Sequence, residues 1–307
     1  MEMRILTPAN DQAYYLKTFI EALVQKFQPL QILCLSQNIT SDVSDSCFKI
    51  PEFDHTAHYF LLMVTESITR VDHQVQDFSN NYFKKGTVTI ITHGKEAIAD
   101  AIKANSRFFI KAYSSANLLY TSDGYSNCSC QTQYIPGDAA AKASKNYNHR
   151  IALAGGFLQG ALACINKQQF TVGTFLLHQV VEQCCIALIR VQLGYRSEVH
   201  NLYRLLGICR CFSNRPYKLF LTGSKEDQRL FDILVKSYSG ARYASDFAVT
   251  EAEANQLQDR VRSFVKLTKT MCLNKIECLE AEAKAYREYA SDLSLVNTSE
   301  LYSFNGI

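Results

Sequence analysis

The chain has no apolar run approaching the roughly 20 residues that a membrane-crossing helix needs, so no span is expected. Its N-terminus, MEMRILTPANDQAYY, lacks a basic region followed by an apolar stretch, and no secretion signal is read there. An excess of either charge is lacking as well: 32 Lys and Arg nearly balance 29 Asp and Glu. A net charge of +3 is too small to argue for nucleic acid by itself. Cysteine is not scarce, but its eleven copies are an odd number, and Cys164, Cys184 and Cys185 fall on helical apolar faces. That pattern fits free thiols in a reducing cytoplasm better than a disulfide framework.

What is present is a globular composition, 47% hydrophobic and 20% charged, in a chain of 307 residues, long enough for two ordinary domains. Charge divides unevenly along it. Residues 1–138 carry 11 basic and 14 acidic side chains, and residues 139–307 carry 21 and 15. Between Gln183 and Lys225 stand Arg190, Arg196, Arg204, Arg210, Arg215, Lys218 and Lys225 against the single Glu198. Such a concentration attracts phosphates if it gathers in space; scattered, it is a solvated basic face.

The first 123 residues alternate between helical and strand patterns, which predicts a small α/β domain. Helices are expected at Asp11–Phe27, Asp72–Lys84 and Glu96–Ser106, and strands at Gln31–Leu35, His58–Thr65, Thr87–Thr92 and Asn117–Thr121. The polar stretch Ser36–Ala57 reads as a loop, with room for a small strand at Phe48–Ile50. Residues 124–141 have linker composition. Cys128-x-Cys130 there and Cys209-x-Cys211 later offer four thiols, but their spacing suits zinc poorly, and no metal is expected.

From Ala139 the pattern is helical. Asn146 or Asn148 is the expected cap of a first helix whose Gly155, Gly156 and Gly160 would let a neighbour pack closely. A second helix, Leu177–Leu193, carries the broad apolar stripe of Leu177, Val180, Val181, Cys184, Ala187, Leu188 and Val191, and Gly194 ends it. Gln179 and Glu182 lie beside that stripe. A third helix is expected over Val199–Cys211 and a fourth over Lys225–Tyr243. Thr250-x-x-Glu253 is a capping box for a fifth helix reaching Cys272. Asn274–Asp292 extends it or makes a dimer arm, and the last dozen residues are read as loose.

In order along these helices stand Gln179-x-x-Glu182, then His200-Asn201-Leu202 with Leu205-Leu206, then Ala241-Arg242-Tyr243. From Lys142 to Cys272 this resembles the HEPN domain, the "higher eukaryotes and prokaryotes nucleotide-binding" helical bundle. The resemblance implies an α+β two-domain chain: an α/β sheet domain over 1–123, an all-α up-and-down bundle over 142–273, and a helical extension with a loose tail over 274–307. It implies a homodimer through the helical domain. It also implies a nucleotide or other phosphate-bearing ligand held by Arg196, His200, Arg204, Arg242 and Tyr243, with no cofactor, RNA being the less favoured ligand. His200 is expected at the start of the third helix, whose free amides favour an anion, or simply as its cap. Glu182 is expected to pair with Arg242, because an unpaired buried charge is costly, and Tyr243 to be core with its hydroxyl on the rim.

Many HEPN domains are metal-independent ribonucleases with an arginine and a following histidine separated by four to six residues. Here Arg242 is followed by Tyr243, Ala244, Ser245, Asp246, Phe247 and Ala248, and the Arg196–His200 pair has the wrong gap and place. The N-terminal half faintly resembles the minimal nucleotidyltransferase that often accompanies HEPN. That chemistry needs Gly-Ser on one strand and Asp-x-Asp on the next to hold metal. This chain has Cys34-Leu35-Ser36, His58-Tyr59-Phe60 and a solitary Asp54. The expectation is therefore a cytoplasmic binding protein without turnover, touching no membrane. The alternatives are a toxin–antitoxin-like fusion with ribonuclease or nucleotidyltransferase activity, and a protein-interaction module with no small ligand.

Overall fold

A computed structural model describes residues 8–44, 52–66, 71–122 and 132–303. The chain forms two compact units, one of residues up to Gln133 together with Arg210–Asn214, the other of Tyr134–Cys209 and Arg215 onward.

The first unit is a small mixed sheet with helices. Its elements are α1 (Pro8–Phe27), β1 (Gln31–Ser44), β2 (Glu52–Thr65), α2 (Asp72–Tyr82), β3 (Gly86–Gly94), α3 (Lys95–Lys103), α4 (Arg107–Ser115) and β4 (Asn117–Thr121). The strand order is β3-β2-β1-β4. β1 runs antiparallel to both β2 and β4, while β2 and β3 are parallel and joined through α2. The expected loop over Ser36–Ala57 is corrected: β1 and β2 continue through most of it as a hairpin, paired from Gln31 with Val64 to Ser44 with Glu52. A hairpin ladder satisfies backbone groups without any apolar alternation, so polar arms escape a periodicity reading. Phe48–Ile50 lies outside the described residues. Phe19, Leu23, Ile32, Tyr59, Leu61, Met63, Val75 and Ile90 form the core between the helices and one sheet face. The buried Gln76 amide fixes α2 to edge strand β3, donating to Val88 O at 2.7 Å and accepting from Ile90 N at 3.0 Å. At the positions where a metal-binding acid pair was sought, His58, Tyr59 and Phe60 are buried. Among the described residues no cluster of His, Cys, Asp or Glu is arranged to hold a metal; Cys128 and Cys130 lie outside them.

The second unit is helical: α5 (Ala139–Asn166), α6 (Phe170–Leu193), α7 (Leu202–Cys209), α8 (Arg215–Lys218), α9 (Lys225–Tyr243) and α10 (Glu251–Ser303). α5 starts at Ala139, seven residues or more before the asparagines expected to cap it. α6 is the central helix, packed against α5, α7, α9 and α10. The expectation of no membrane-length apolar helix is corrected here: by length and composition α6 is long and apolar enough to cross a membrane, but 72% of its apolar window is buried. Gly194 ends it in the left-handed region at φ 74°, donating back to Arg190 O. α9 is capped by Ser224, which accepts from Asp227 N at 3.1 Å. The Asp227 carboxylate accepts from Thr222 and Arg260, and these bonds hold its pKa down at about 2. The capping box forms as expected: Thr250 N donates to Glu253 Oε2 at 2.9 Å, and Glu253 N to Thr250 Oγ1 at 3.3 Å. The fifth helix and its extension are one element, because nothing in Asn274–Asp292 breaks a helix.

Candidate functional site

Among the polar side chains that α6 buries, His178 (3% exposed) and Glu182 (5%) stand one turn apart. A carboxylate at that depth requires a partner, and the partner is a histidine. His200 Nδ1 donates to Glu182 Oε1 at 2.9 Å, delivered by the segment that follows Gly194. The expected Glu182–Arg242 ion pair does not form. Arg242 sits on the exposed last turn of α9, where Nε donates to Tyr238 O at 2.7 Å. Its guanidinium lies over three rings: Tyr238 at 4.3 Å, Tyr243 at 4.9 Å and Phe175 at 5.5 Å. Stacking lets the guanidinium keep its hydration, whereas reaching Glu182 would strip it.

His178 lies between these groups. Its ring is tilted against Tyr238 with centroids 5.1 Å apart, Gln179 Nε2 is 3.3 Å from its Nδ1, and Glu182 Oε2 is 4.0 Å away. Burial, then the charge of Arg242, then His200, push its pKa down to about 4. His178 is thus neutral at neutral pH, and its contact with Glu182 is not an ion pair. The carboxylate serves His200. With Nδ1 donating, a neutral His200 exposes Nε2 as an acceptor, and its side chain is 70% exposed.

The other expected ligand residues divide. Arg204 is buried at 7% and leaves the rim, because its position on α7 faces the bundle. His200 does not cap α7; Asn201 does, its Oδ1 accepting from Arg204 N at 3.1 Å. Tyr243 is not core: it is 79% exposed and forms one face of the shelf under Arg242. Arg196 is exposed, and its charge helps hold the Arg190 pKa below its ordinary value, after burial. Sequence reasoning missed His178, Tyr238 and Phe175. Their signal was helical spacing, since His178 and Glu182, like Tyr238 and Arg242, are four residues apart and so stacked on one face.

Residues 147–271 match the model of the HEPN domain. The chain carries a HEPN domain. The matched span runs from α5 into α10 and includes His178, Glu182, His200, Tyr238, Arg242 and Tyr243. No curated protein matches the chain. Within this HEPN domain no histidine follows Arg242 at close range, yet an imidazole reaches the same neighbourhood from the segment before α7. The arrangement offers an exposed ring nitrogen backed by a carboxylate, a guanidinium without a carboxylate partner among the described residues, and two exposed tyrosine rings.

Proposed function

We propose that the HEPN domain binds a nucleotide or another phosphate-bearing ligand over His200, Arg242, Tyr238 and Tyr243. The observation that carries this reading is Arg242, whose guanidinium spans three rings and pairs with no carboxylate among the described residues. Exposed tyrosine rings take a base by stacking. The edges of a stacked guanidinium take phosphate oxygens, and His200 Nε2 supplies a donor when protonated. Arg196 and Arg204 are dropped from this site. The N-terminal sheet enters the reading as a nucleotidyltransferase-like domain without its chemistry, supported by buried His58, Tyr59 and Phe60 where that chemistry needs an acid pair; a cytoplasmic location is supported by eight described cysteines that are all free.

The test is thermal denaturation of the full chain with ATP, GTP and AMP, with and without magnesium. Stabilisation without turnover is the expected result, on the order of 3–5 °C at tenfold saturation. Arg242→Ala and Tyr238→Ala should each remove most of it. No response to any nucleotide would favour a protein-interaction module. A second reading, RNA cleavage, is favoured by the Glu182–His200 bond alone: a carboxylate behind Nδ1 makes Nε2 a base for a 2′-hydroxyl, and Arg242 would steady the phosphorane. Cleavage of labelled RNA that His200→Ala abolishes would replace binding without turnover by this reading.

The domain is further proposed to form a homodimer through α5. Gly155 and Gly156 sit mid-helix, where glycine costs about 0.5–1 kcal/mol against alanine, and a Cβ on either would meet nothing within 4 Å. No close approach inside the chain explains them, and exposed Leu153 and Val172 lie near in sequence or on the following helix. Sedimentation should show a dimer that Gly156→Leu converts to monomer. A wild-type chain that stays monomeric at high micromolar concentration removes the proposal.

A further inference from the structure

Two of the basic side chains that crowd the sequence after Gln183 meet a third from the far end of the bundle. Arg215 and Lys218 on α8, with Leu219 just beyond it, form one wall of a groove of about 530 Å³. The other wall is the middle of α10, where Ser263, Lys266, Leu267 and Thr270 fall within two helical turns, about 10 Å of axis. Both walls belong to the helical unit. The fully buried Phe220, next after Leu219, packs edge-on against Phe264 with centroids 5.2 Å apart, and its carbonyl accepts from Arg260 Nη1 at 3.2 Å. α8 is thereby fixed against α10. No carboxylate lines the groove. The sequence keeps acids away on both sides: none stands between Val199 and Lys225, and from Arg260 to Ile276 α10 carries five basic side chains and no acid. Among the described residues the ammonium groups of Lys218 and Lys266 enter no ion pair or hydrogen bond. Ser263 and Thr270 already donate to Asp259 O at 3.0 Å and Lys266 O at 3.2 Å, which leaves the cations as the donors of the groove.

A solvated basic face is convex and spreads its cations into water. These three line a concavity instead, and the half-buried Leu219 and Leu267 give it low-dielectric walls that focus the field on whatever lies between them. We propose that the α8–α10 groove binds a chain of linked phosphates, pyrophosphate or longer, free or carried on an organic group. The layout of the donors selects that class. A lone phosphate is compact and meets one end of a wall about 10 Å long, whereas a chain sets a charged unit against each cation in turn. Arg215 offers a two-pronged fork for one unit, and Lys218 and Lys266 act as point charges for the others. No aromatic ring lines the groove, so nothing there stacks a base, and recognition rests on the phosphates. The proposal stands whether or not a nucleotide occupies the His200–Arg242 site.

The experiment titrates the full chain with inorganic tripolyphosphate by calorimetry, in magnesium-free chloride buffer of matched ionic strength. Binding is expected, with inorganic monophosphate at least about tenfold weaker. Lys218→Gln and Lys266→Gln should each weaken tripolyphosphate binding at least about fivefold. Both side chains are exposed and engage nothing else, so the melting temperature in chloride should stay where it is in the wild type, which separates loss of the site from loss of the fold. Arg242→Ala should leave tripolyphosphate binding intact. ATP that binds Arg242→Ala and loses that binding when Lys266→Gln is added would show that a chain carried on an organic group is taken; tripolyphosphate without ATP would identify the free chain. No heat with tripolyphosphate would overturn the proposal, as would binding that both lysine variants keep. Equal affinity for monophosphate and tripolyphosphate would remove the chain from it. An RNA oligonucleotide bound through Lys218 and Lys266, with tripolyphosphate unbound, would replace it by a nucleic-acid backbone.

Discussion

Gly86→Ala is expected to destabilise the sheet unit by about 2–6 kcal/mol, a large share of the 5–15 kcal/mol that holds a domain folded. Gly86 opens β3 opposite Ala57 in the parallel ladder. Its φ of +155° is a conformation that residues with a Cβ adopt at a cost of about 1–3 kcal/mol. The added carbon would also lie 2.3 Å from Ala57 O and 3.2 Å from the Phe83 ring. The first of these is main chain in β2, a strand paired on both sides, so it cannot yield without loosening two ladders. Overpacking of that kind adds about 1–3 kcal/mol. Urea denaturation followed by circular dichroism measures the loss, with Gly137→Ala as control, since a Cβ there meets nothing within 4 Å. A Gly86→Ala midpoint equal to that of Gly137→Ala would refute the argument.

Local chemistry made parts of this fold legible. α9 is read to the residue, Lys225–Tyr243, because Ser224 caps it, Glu226 and Asp227 suit its first turn, and the next segment breaks the pattern. The Thr250–Glu253 box is a signal carried by two residues and needs no tertiary context. The outer arms of β1 and β2 are the opposite case: their pairing is set by each other and leaves no trace in hydrophobicity. α4 was hidden for a different reason. Asn105, at φ 58°, separates it from α3 in the left-handed region that asparagine tolerates, and one helix was expected where two short ones stand. At the site, a buried acid at position 182 was readable from the apolar stripe around it, but its partner was inferred from charge alone. Depth decided otherwise. The compact imidazole of His200, carried on an irregular segment, reaches a carboxylate that a guanidinium would reach only by surrendering its water. Tyr243 was misplaced because a tyrosine at a helix end carries no sign of which face the chain turns after it.

Lowering the pH from 6.5 to 4 is expected to remove about 3 kcal/mol of folding stability through His178 alone. Its folded pKa is about 4, against 6.5 in the unfolded chain. Between those values the unfolded chain holds a proton that the folded chain rejects, so stability rises with pH through the window and is complete above 6.5. Burial is the main cause, and the nearby positive charge of Arg242 adds to it; Gln179, Tyr238, Glu182 and His200 complete the surroundings of the ring. His178→Phe keeps a ring against Tyr238 and cannot titrate. The wild-type stability minus that of His178→Phe, from urea denaturation at several pH values, should fall by about 3 kcal/mol from pH 7 to pH 4, and a difference that stays flat would show that His178 is not held neutral. Other groups titrate in the same window, and the subtraction removes those that His178 does not influence. The consequence reaches the site itself. A neutral His178 leaves the Glu182 carboxylate wholly to His200, the ring that faces solvent.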